Sequence, residues 1–512
     1  MVDIWDVIVV GSGNAGLCAA LAAQEAFERI LVIEKAKPEL KGGNTAFSGG
    51  AMRFTYDGFS DIRSLLQDVD DPRLARADFG SYSKKAFAAD LSSFNNGRPL
   101  SIEQNVLIEE SLPTMRWLAS KGVEFEPIFS RQSFEKNGRL AFWGGLTLAA
   151  KGEGSGLAAS ERAEFERHGG TVIYDCAATE LVMSDGRVVG VETSDAAGHR
   201  KTLRANAVVL AAGGFGSNQA LLRQYLGRGM DRAVFRGTPH NTGDGLKMAF
   251  RVGARPHGVF EGCHAVPMGI RMYSHDKALP AGFESTRLRK LCYFLGVMLN
   301  SQGRRFVDEG ADFRNYTYAQ YGQAILEQPG SIAYQIFDAK VDHLLYEEYG
   351  APSANFVEAD TIDDLLVRLE GIDSETARNT ITMFNAAVDD QVEFDPAVKD
   401  GKSAVGLVPP RLNWAQKLDR APFRAYPVTG GITFTYGGVQ VDASGAVMGK
   451  NDLPIQGLFA CGEMVGGVFF NGYPGGSGLT SGAVFGRRAG IGAAAFSRAC
   501  QSATKLEYRG ML

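Results

Sequence analysis

The stretch Asp6-Val-Ile-Val-Val10-Gly11-Ser-Gly13-Asn14-Ala15-Gly16 decides the fold. An apolar strand enters a tight glycine turn, and the turn opens a helix predicted over Leu17 to Ala26. Gly11 permits the turn, Gly13 lets backbone approach a pyrophosphate, and Gly16 allows close helix packing. The free amides at the helix N-terminus face the phosphates. Ile30 to Ile33 reads as the second strand and Glu34 ends it, with Lys35 following. A carboxylate there accepts bonds from both ribose hydroxyls and repels a phosphorylated ribose. The pattern predicts a dinucleotide cradle for FAD or NAD.

Outward from this stretch, 512 residues are too many for one ordinary core, so two or three domains are expected. The chain is 45% hydrophobic and 22% charged, an ordinary soluble composition. Its 63 glycines are about twice the usual share. They have no period and cluster in short loops, which suits backbone lying against a large ligand. A net charge of -5 and the lack of a long basic tract argue against nucleic acid.

The six cysteines, Cys18, Cys176, Cys263, Cys292, Cys461 and Cys500, form no CxxC. They give no support to an iron–sulfur site, a haem attachment or a redox dithiol, and read as buried thiols in a reducing compartment. Cys461 lies near a cofactor loop but reads as packing. No HxxH, HExxH or acidic calcium loop occurs, so no metal is expected. The N-terminus has no basic leader or cleavage pattern, and charges interrupt every apolar stretch before membrane-spanning length. A cytoplasmic protein without a transmembrane segment is expected.

Further small-residue clusters follow Glu34. Gly42-Gly43-Asn44-Thr45 and Ser48-Gly49-Gly50 suit a loop wrapped around the cofactor. Apolar spacing predicts helices over Ser81 to Leu91 and Ile102 to Lys121, with Trp117 packed in that layer. Phe142-Trp143 reads as a pocket wall or a core corner. Another helix is predicted over Ser155 to Glu166, then strands over Thr171 to Tyr174, Glu180 to Ser184 and Val188 to Thr193, with a turn at Asp185-Gly186. Ala207 to Leu210 is a buried strand running into Ala212-Gly213-Gly214 and rejoining the first sheet. Asn241-Thr-Gly-Asp244 precedes a helix over Leu246 to Val252.

Residues 266–424 change texture, with more Tyr, Phe, Arg and Asp and few fingerprint glycines. Residues 425–512 return to the first texture. Strands are predicted at Gly438 to Asp442 and at Gly457 to Glu463, the second ending at Gly462-Glu463. Ser477-Gly478-Leu479 opens a last helix through Phe485 to Ala495. The expected architecture is α/β, a Rossmann-like domain (1–265 and 425–512) interrupted by a mixed α+β capping, catalytic domain (266–424).

The ordered set Gly11, Gly13, Gly16, Glu34, Gly43-Asn-Thr45, Ala212-Gly-Gly214, Asn241-Thr-Gly-Asp244, Glu463 and Ser477-Gly-Leu479 resembles the flavoprotein family of fumarate reductases, succinate dehydrogenases and 3-ketosteroid dehydrogenases. The resemblance covers essentially the whole chain and implies FAD rather than NAD. Phe306 to Tyr318, Pro427 to Gly437 and Gly472-Tyr-Pro-Gly-Gly-Ser-Gly478 resemble the tricarballylate dehydrogenases, in which FAD oxidises a propane tricarboxylic acid to an aconitate. The same background is similar to the flavin half of a cobalamin-pathway enzyme. The reaction implied is hydrogen removal or addition across a carbon–carbon bond beside a carbonyl or carboxylate. The substrate implied is a small anion, and a separate electron-transfer or membrane-linked protein would fit as partner.

Five side chains are candidates for this chemistry. Arg314 lies in a segment similar to the one carrying the proton-relaying arginine of fumarate reductases, with one extra residue and Asn315 in place of the acidic neighbour. It either relays a proton or grips a carboxylate in two-pronged fashion. Tyr473 stands where fumarate reductases offer a substrate-binding arginine, and is more like the tyrosine with which ketosteroid dehydrogenases hold a ketone. Tyr436 falls near the place of a substrate histidine in the fumarate family. His264, in Glu261-Gly-Cys-His264, corresponds to a histidine at the substrate edge. Arg424 precedes the Tyr426-Pro-Val-Thr-Gly loop and is an expected carboxylate anchor. Arg287, Arg289, Lys290, Arg304 and Arg305 add positive charge on the cap side and read mainly as a solvated face. Two alternatives stay open: a ketone or ketosteroid-type substrate, and an electron-transfer subunit with no small substrate of its own.

Overall fold

The computed structural model describes residues 4–27, 29–227, 229–230, 233–270, 289–351 and 354–510. Ile4–Val10 lies inside an eight-stranded sheet. It pairs in parallel with Ile30–Ile33 on one side and Arg200–Leu210 on the other. Thr171–Ile173 extends the sheet beyond Ile30–Ile33, and Pro454–Ala460 pairs with the second half of Arg200–Leu210. Ala177–Ser184 and Arg187–Ser194 form an antiparallel hairpin against the first half of Arg200–Leu210. Val7, Ile8, Val9, Leu31, Val32 and Ile33 are all fully buried. Helices cover both faces of a parallel sheet, so its strands read as unbroken apolar runs.

The first helix is Asn14–Gln24, capped at Gly13. The last, Ser477–Gly510, packs along it. Their contact is made by Gly482, Gly486 and Gly490, where an added Cβ would come within 2.8 Å of Asn14, 2.4 Å of the Ala15 carbonyl and 2.2 Å of the Ala19 carbonyl. The sequence placed this final helix correctly but ended it near Ala495, before its polar continuation. Lys84–Ser93 starts three residues later than expected because the Ser83 hydroxyl caps the Ala86 amide at 3.2 Å. Ile102–Ser120 opens on a capping box of Ser101 and Gln104. The predicted strand over Gly438 to Asp442 is reduced to Gly438–Val439.

A second, six-stranded sheet is organised by the long strand Phe423–Thr435. Cys263–Gly269, Ala333–Phe337 and Val357–Ala359 pair with it antiparallel, and Val234–Phe235 pairs in parallel. Its members reach past the expected domain limits at 265 and 424. Helix Arg314–Leu326 lies against Cys263–Gly269 so closely that a Cβ on Gly322 would sit 2.3 Å from the Ala265 backbone. The result is a Rossmann-like α/β domain interrupted by a mixed cap. The cap helix and the end of the long strand are delivered to the glycine turn. Among the described residues no helix is long and apolar enough to cross a membrane.

Candidate functional site

Two cavities meet over the N-terminus of the first helix, and Asn14, Ala15, Asn44, Thr45, Gly462 and Glu463 line both. The first, a cleft of about 150 Å³, also touches Gly11, Gly13, Glu34, Lys35, Gly43, Ala212, Gly213, Asn241 and Asp244. Glu34 is 7% exposed and already aligned. One carboxylate oxygen accepts the Ser12 amide at 2.9 Å and the Ser12 hydroxyl at 2.8 Å, and the other accepts the Ala36 amide at 2.8 Å. Lys35 donates to Thr242 at 3.0 Å and pairs with Asp244 at 2.7 Å. The Asn14 amide donates to the Thr45 hydroxyl at 3.0 Å, and its side chain donates to the Leu479 carbonyl at 2.8 Å.

Gly16, Gly42, Gly214 and Ser477 do not face the cleft but shape it. A Cβ on Gly16 would lie 2.0 Å from the Gly11 carbonyl, and one on Gly214 would lie 2.3 Å from the Glu463 carboxylate. Gly42 precedes the short helix Gly43–Phe47. The Ser477 hydroxyl donates to the Pro474 carbonyl at 2.7 Å and starts the last helix. Glu463 ties these segments together. It accepts from the Thr435 amide at 2.7 Å and hydroxyl at 3.0 Å, from Asn241 at 2.9 Å and from Asn44 at 3.3 Å. Burial raises its pKa, and the Thr435 and Asn241 bonds oppose the rise. A helix N-terminus, the buried Glu34 carboxylate and two cavities that share lining residues fit FAD.

The second cavity, of about 250 Å³, is lined by Ser48, Gly49, Gly50, Gly478 and Leu479 on the cofactor side. Arg314, His264, Tyr436 and Tyr473 all line it, as expected for one site. Sequence reading missed Arg131, Arg236 and Tyr318, which line it as well, and Arg289, read mainly as a solvated charge, lines it too. Tyr318 was legible in principle, since it lies one helical turn after Arg314 and shares its face. No local pattern marks the three arginines.

The hydroxyls of Tyr318 and Tyr473 are 2.7 Å apart. Burial raises the pKa of Tyr318, while its bond to Tyr473 and the charges of Arg236, Arg314 and Arg289 oppose the rise. The imidazole of His264 stacks on Phe434 and meets the ring edges of Tyr318 and Tyr473, with centroids 5.3, 5.1 and 4.9 Å away. Both its nitrogens are buried without a hydrogen-bond partner. Burial, then Arg236 and Arg289, hold its pKa well below the usual histidine value, so the ring is neutral. The Tyr436 hydroxyl is likewise buried and unpartnered.

Arg314 donates to the Arg131 carbonyl at 2.6 Å, while its Nε has no partner. Its guanidinium lies 5.6 Å from the centre of the Trp143 ring and 4.9 Å from that of Tyr346. Trp143 is thus a support for Arg314 and not a pocket wall. Arg131 faces Glu153 at 3.9 Å and Glu348 at 3.7 Å. Burial lowers the pKa of Arg289 to about 9, with Arg131 and Arg236 adding to the effect.

Arg424 is not brought to either cavity. It pairs with Glu358 at 2.6 Å and Asp342 at 2.7 Å at the far end of the long strand. Arg305 is not a solvated charge, being buried among Glu309 and the carbonyls of Pro409 and Pro410. Lys290 is buried over the Tyr349 ring, Arg304 is exposed, and Arg287 lies outside the described residues. Cys461 is packing, its thiol against the Ala15 carbonyl at 3.4 Å. Among the described residues no cluster of His, Cys, Asp and Glu is arranged for a metal.

The family described as FAD binding domain matches residues 6–479. The NADH:acrylate oxidoreductase of Vibrio harveyi is 26% identical over 95% of this chain and 50% of its own length. The 4-oxocyclohexanecarboxylate 2-dehydrogenase of Sinomonas cyclohexanicum is 28% identical over 92% of this chain and 89% of its own length. The chain spans about half the length of the first curated relatives it matches. The open conformation of a flavocytochrome c3 fumarate reductase shares the fold with a TM-score of 0.71 and 24% identity, covering 97% of this chain and 79% of that one. A 3-ketosteroid delta1-dehydrogenase from Sterolibacterium denitrificans shares it with a TM-score of 0.72 and 21% identity, covering 96% and 99%. With its glycine fingerprint, its buried Glu34 carboxylate and its cap all in place, the chain belongs to the FAD binding domain family, as an FAD flavoprotein similar to the fumarate reductases.

Proposed function

We propose that this chain is an FAD-dependent oxidoreductase that removes or adds hydrogen across a carbon–carbon bond of a small polycarboxylate, with tricarballylate and aconitate as the leading pair. One observation carries the proposal. Arg131, Arg236, Arg289 and Arg314 converge on a single cavity that also holds the Tyr318–Tyr473 hydroxyl pair. A substrate with several carboxylates needs several cations, and guanidinium forks match carboxylates best.

FAD, when bound, supplies the centre that takes or gives a hydride. The chain supplies the rest. Arg314 grips a carboxylate through its unpartnered Nε side, and its aromatic neighbours hold that geometry. An arginine is a poor base, so proton handling falls to the tyrosine pair. Tyr318, entering as its phenolate, accepts the proton from the carbon beside the carboxylate and becomes a neutral phenol. The Tyr473 hydroxyl and the nearby guanidiniums stabilise the phenolate before the transfer, the same influences that oppose the burial-driven rise in its pKa. In the reverse direction the protonated pair returns the proton. Neutral His264 offers one donor and one acceptor to the substrate without competing for its charge. Electrons pass onward through a separate donor or acceptor, such as NADH or an electron-transfer protein.

The tyrosine pair favours a second reading, an oxo acid whose ketone accepts from a phenol while its carboxylate meets the arginines. The 4-oxocyclohexanecarboxylate named for the Sinomonas relative has this shape. Anaerobic bleaching of the flavin absorbance decides between them. Bleaching by tricarballylate alone supports the polycarboxylate. Bleaching by 4-oxocyclohexanecarboxylate alone replaces it with the oxo acid. If neither acid bleaches the flavin, and aconitate or fumarate fails to reoxidise the dithionite-reduced protein, both readings fall.

A further inference from the structure

Arg53 follows the cofactor loop in Ser48-Gly-Gly-Ala-Met-Arg53 and lines neither cavity, yet it is fully buried. Its Nε donates to the Gly475 carbonyl at 2.7 Å and its Nη1 to the Gly144 carbonyl at 2.6 Å. Its backbone amide donates to the Gly476 carbonyl at 3.1 Å. The Asp90 carboxylate is 3.6 Å away, and the Tyr82 and Tyr316 ring centres are 5.0 and 5.6 Å from the guanidinium.

The acceptors of these bonds belong to the working segments of the site. Gly144 adjoins Trp143, on which Arg314 lies. Its carbonyl also accepts from Asn315 and from the Tyr316 hydroxyl, both at 3.2 Å. Gly475 and Gly476 form the turn after Tyr473, and the Gly475 amide donates to the Asn315 carbonyl at 2.9 Å. Tyr316 also donates to Asp90 at 2.9 Å. Three segments distant in sequence therefore meet at one guanidinium: the Trp143 loop, the start of the cap helix and the Tyr473 turn. Taking a guanidinium out of water is costly, and a well-packed apolar side chain would fill the volume. What an apolar residue cannot do is bond two carbonyls in fixed directions.

We infer that Arg53 is a positioning residue, holding the Tyr473 turn in register with the cap helix and so setting the Tyr318–Tyr473 contact. Lysine keeps the charge but is a single point donor, not a planar fork, so it cannot hold both carbonyls at once. The kinetic consequence rests on the function proposed above, whereas the geometric one does not.

The test uses the FAD-loaded Arg53→Lys variant. Its crystal structure is expected to show the two tyrosine hydroxyls separated beyond hydrogen-bond distance, with the flavin in its native place. With whichever test acid the wild type turns over, kcat is expected to fall about 30-fold at nearly constant KM, a loss in the range that a misplacement near 1 Å produces. In a Tyr473→Phe background the same substitution should change kcat less than about twofold, because the two changes then act through one contact. Hydroxyls that stay 2.7 Å apart, or an undiminished effect in the Tyr473→Phe background, overturn the inference. Should Arg53→Lys fail to fold, Tyr316→Phe removes one donor to Gly144 and is judged by the same separation and the same cycle. If the wild type turns over none of the acids, the proposed function fails while the crystal structure still decides the role of Arg53.

Discussion

The phenolic oxygens of Tyr318 and Tyr473 stand 2.7 Å apart in the wall of the arginine-lined cavity, one brought by the cap helix and the other by the turn before the last helix. Only one hydroxyl can donate in that bond. The acceptor keeps its own proton for a third group, and the cavity is where that group lies. In the proposed reaction these two tyrosines act as a relay that neither could provide alone.

Tyr473→Phe should lower kcat by about 10²-fold or more with little change in KM, the size expected for loss of a proton-transfer partner. Tyr318→Phe should do the same, and the double variant should be scarcely worse than either single one. Steady-state rates of the three variants check this. Independent, multiplying losses would show that the hydroxyls do not work as a unit.

Arg314 and Arg424 separate by their surroundings. Arg314→Gln removes a cavity guanidinium and should reduce kcat/KM by about 10²-fold, from losing a charge-assisted carboxylate contact. Arg424→Gln removes only a partly exposed pair with Asp342 and Glu358 and should leave kcat/KM within about twofold. Parallel kinetics decide it.

Ser12 holds Glu34 by two bonds before any ligand arrives. Glu34→Ala should therefore weaken FAD binding roughly 10- to 100-fold, the equivalent of losing charge-assisted bonds to a sugar. Ser12→Ala should cost less, since the amide still holds the carboxylate. Reconstitution of the apoprotein, followed by flavin fluorescence, measures both.

The depressed pKa of His264 gives stability an acid limb. Above the unfolded histidine value, about 6.5, the ring is neutral in both states and contributes no pH dependence. As pH falls through that value the unfolded chain gains a proton that the folded chain refuses. Stability then declines by up to about 1.4 kcal/mol per pH unit until the folded value is reached. His264→Gln should remove this part of the slope, so its Tm should fall less than the wild-type Tm between pH 7 and 5. Thermal unfolding across that range checks it, and identical slopes would show that the ring is protonated in place.

Gly16→Ala should be among the most damaging small changes, because its Cβ would fall 2.0 Å from the Gly11 carbonyl. Moving the helix away from the turn should cost about 3 kcal/mol or more and abolish tight FAD binding. A soluble variant with native FAD content would show that the turn can shift freely.

The cofactor half of the site was legible because its signals are local. Gly11 to Gly16 and Glu34 belong to one strand–turn–helix–strand unit, and the spacing itself carries the geometry. The substrate half was legible only in part. Arg314 and Tyr473 sit in recognisable segments, but Arg131 and Arg236 arrive from separate segments with nothing nearby to distinguish a cavity arginine from a surface one, and for the same reason Arg289 read as a solvated charge. Arg424 shows the opposite error. Its neighbouring loop suggested an anchor, yet Asp342 and Glu358, remote in sequence, claim its charge. Arg53 escaped notice because its partners are backbone carbonyls, which sequence does not display.

The first helix and the last pack glycine against backbone, and Gly462, Gly478 and Gly482 complete cavities begun at Gly13 and Asn14. A growing polypeptide therefore carries an open, unfinished cradle from the emergence of Gly13 until Gly482 is made. At about 5–20 residues per second, on the order of 20–90 s separate the emergence of the two halves. Cofactor capture accordingly waits for the helix that begins at Ser477, and a premature stop before it leaves a chain with its fingerprint intact and nothing to close over the flavin.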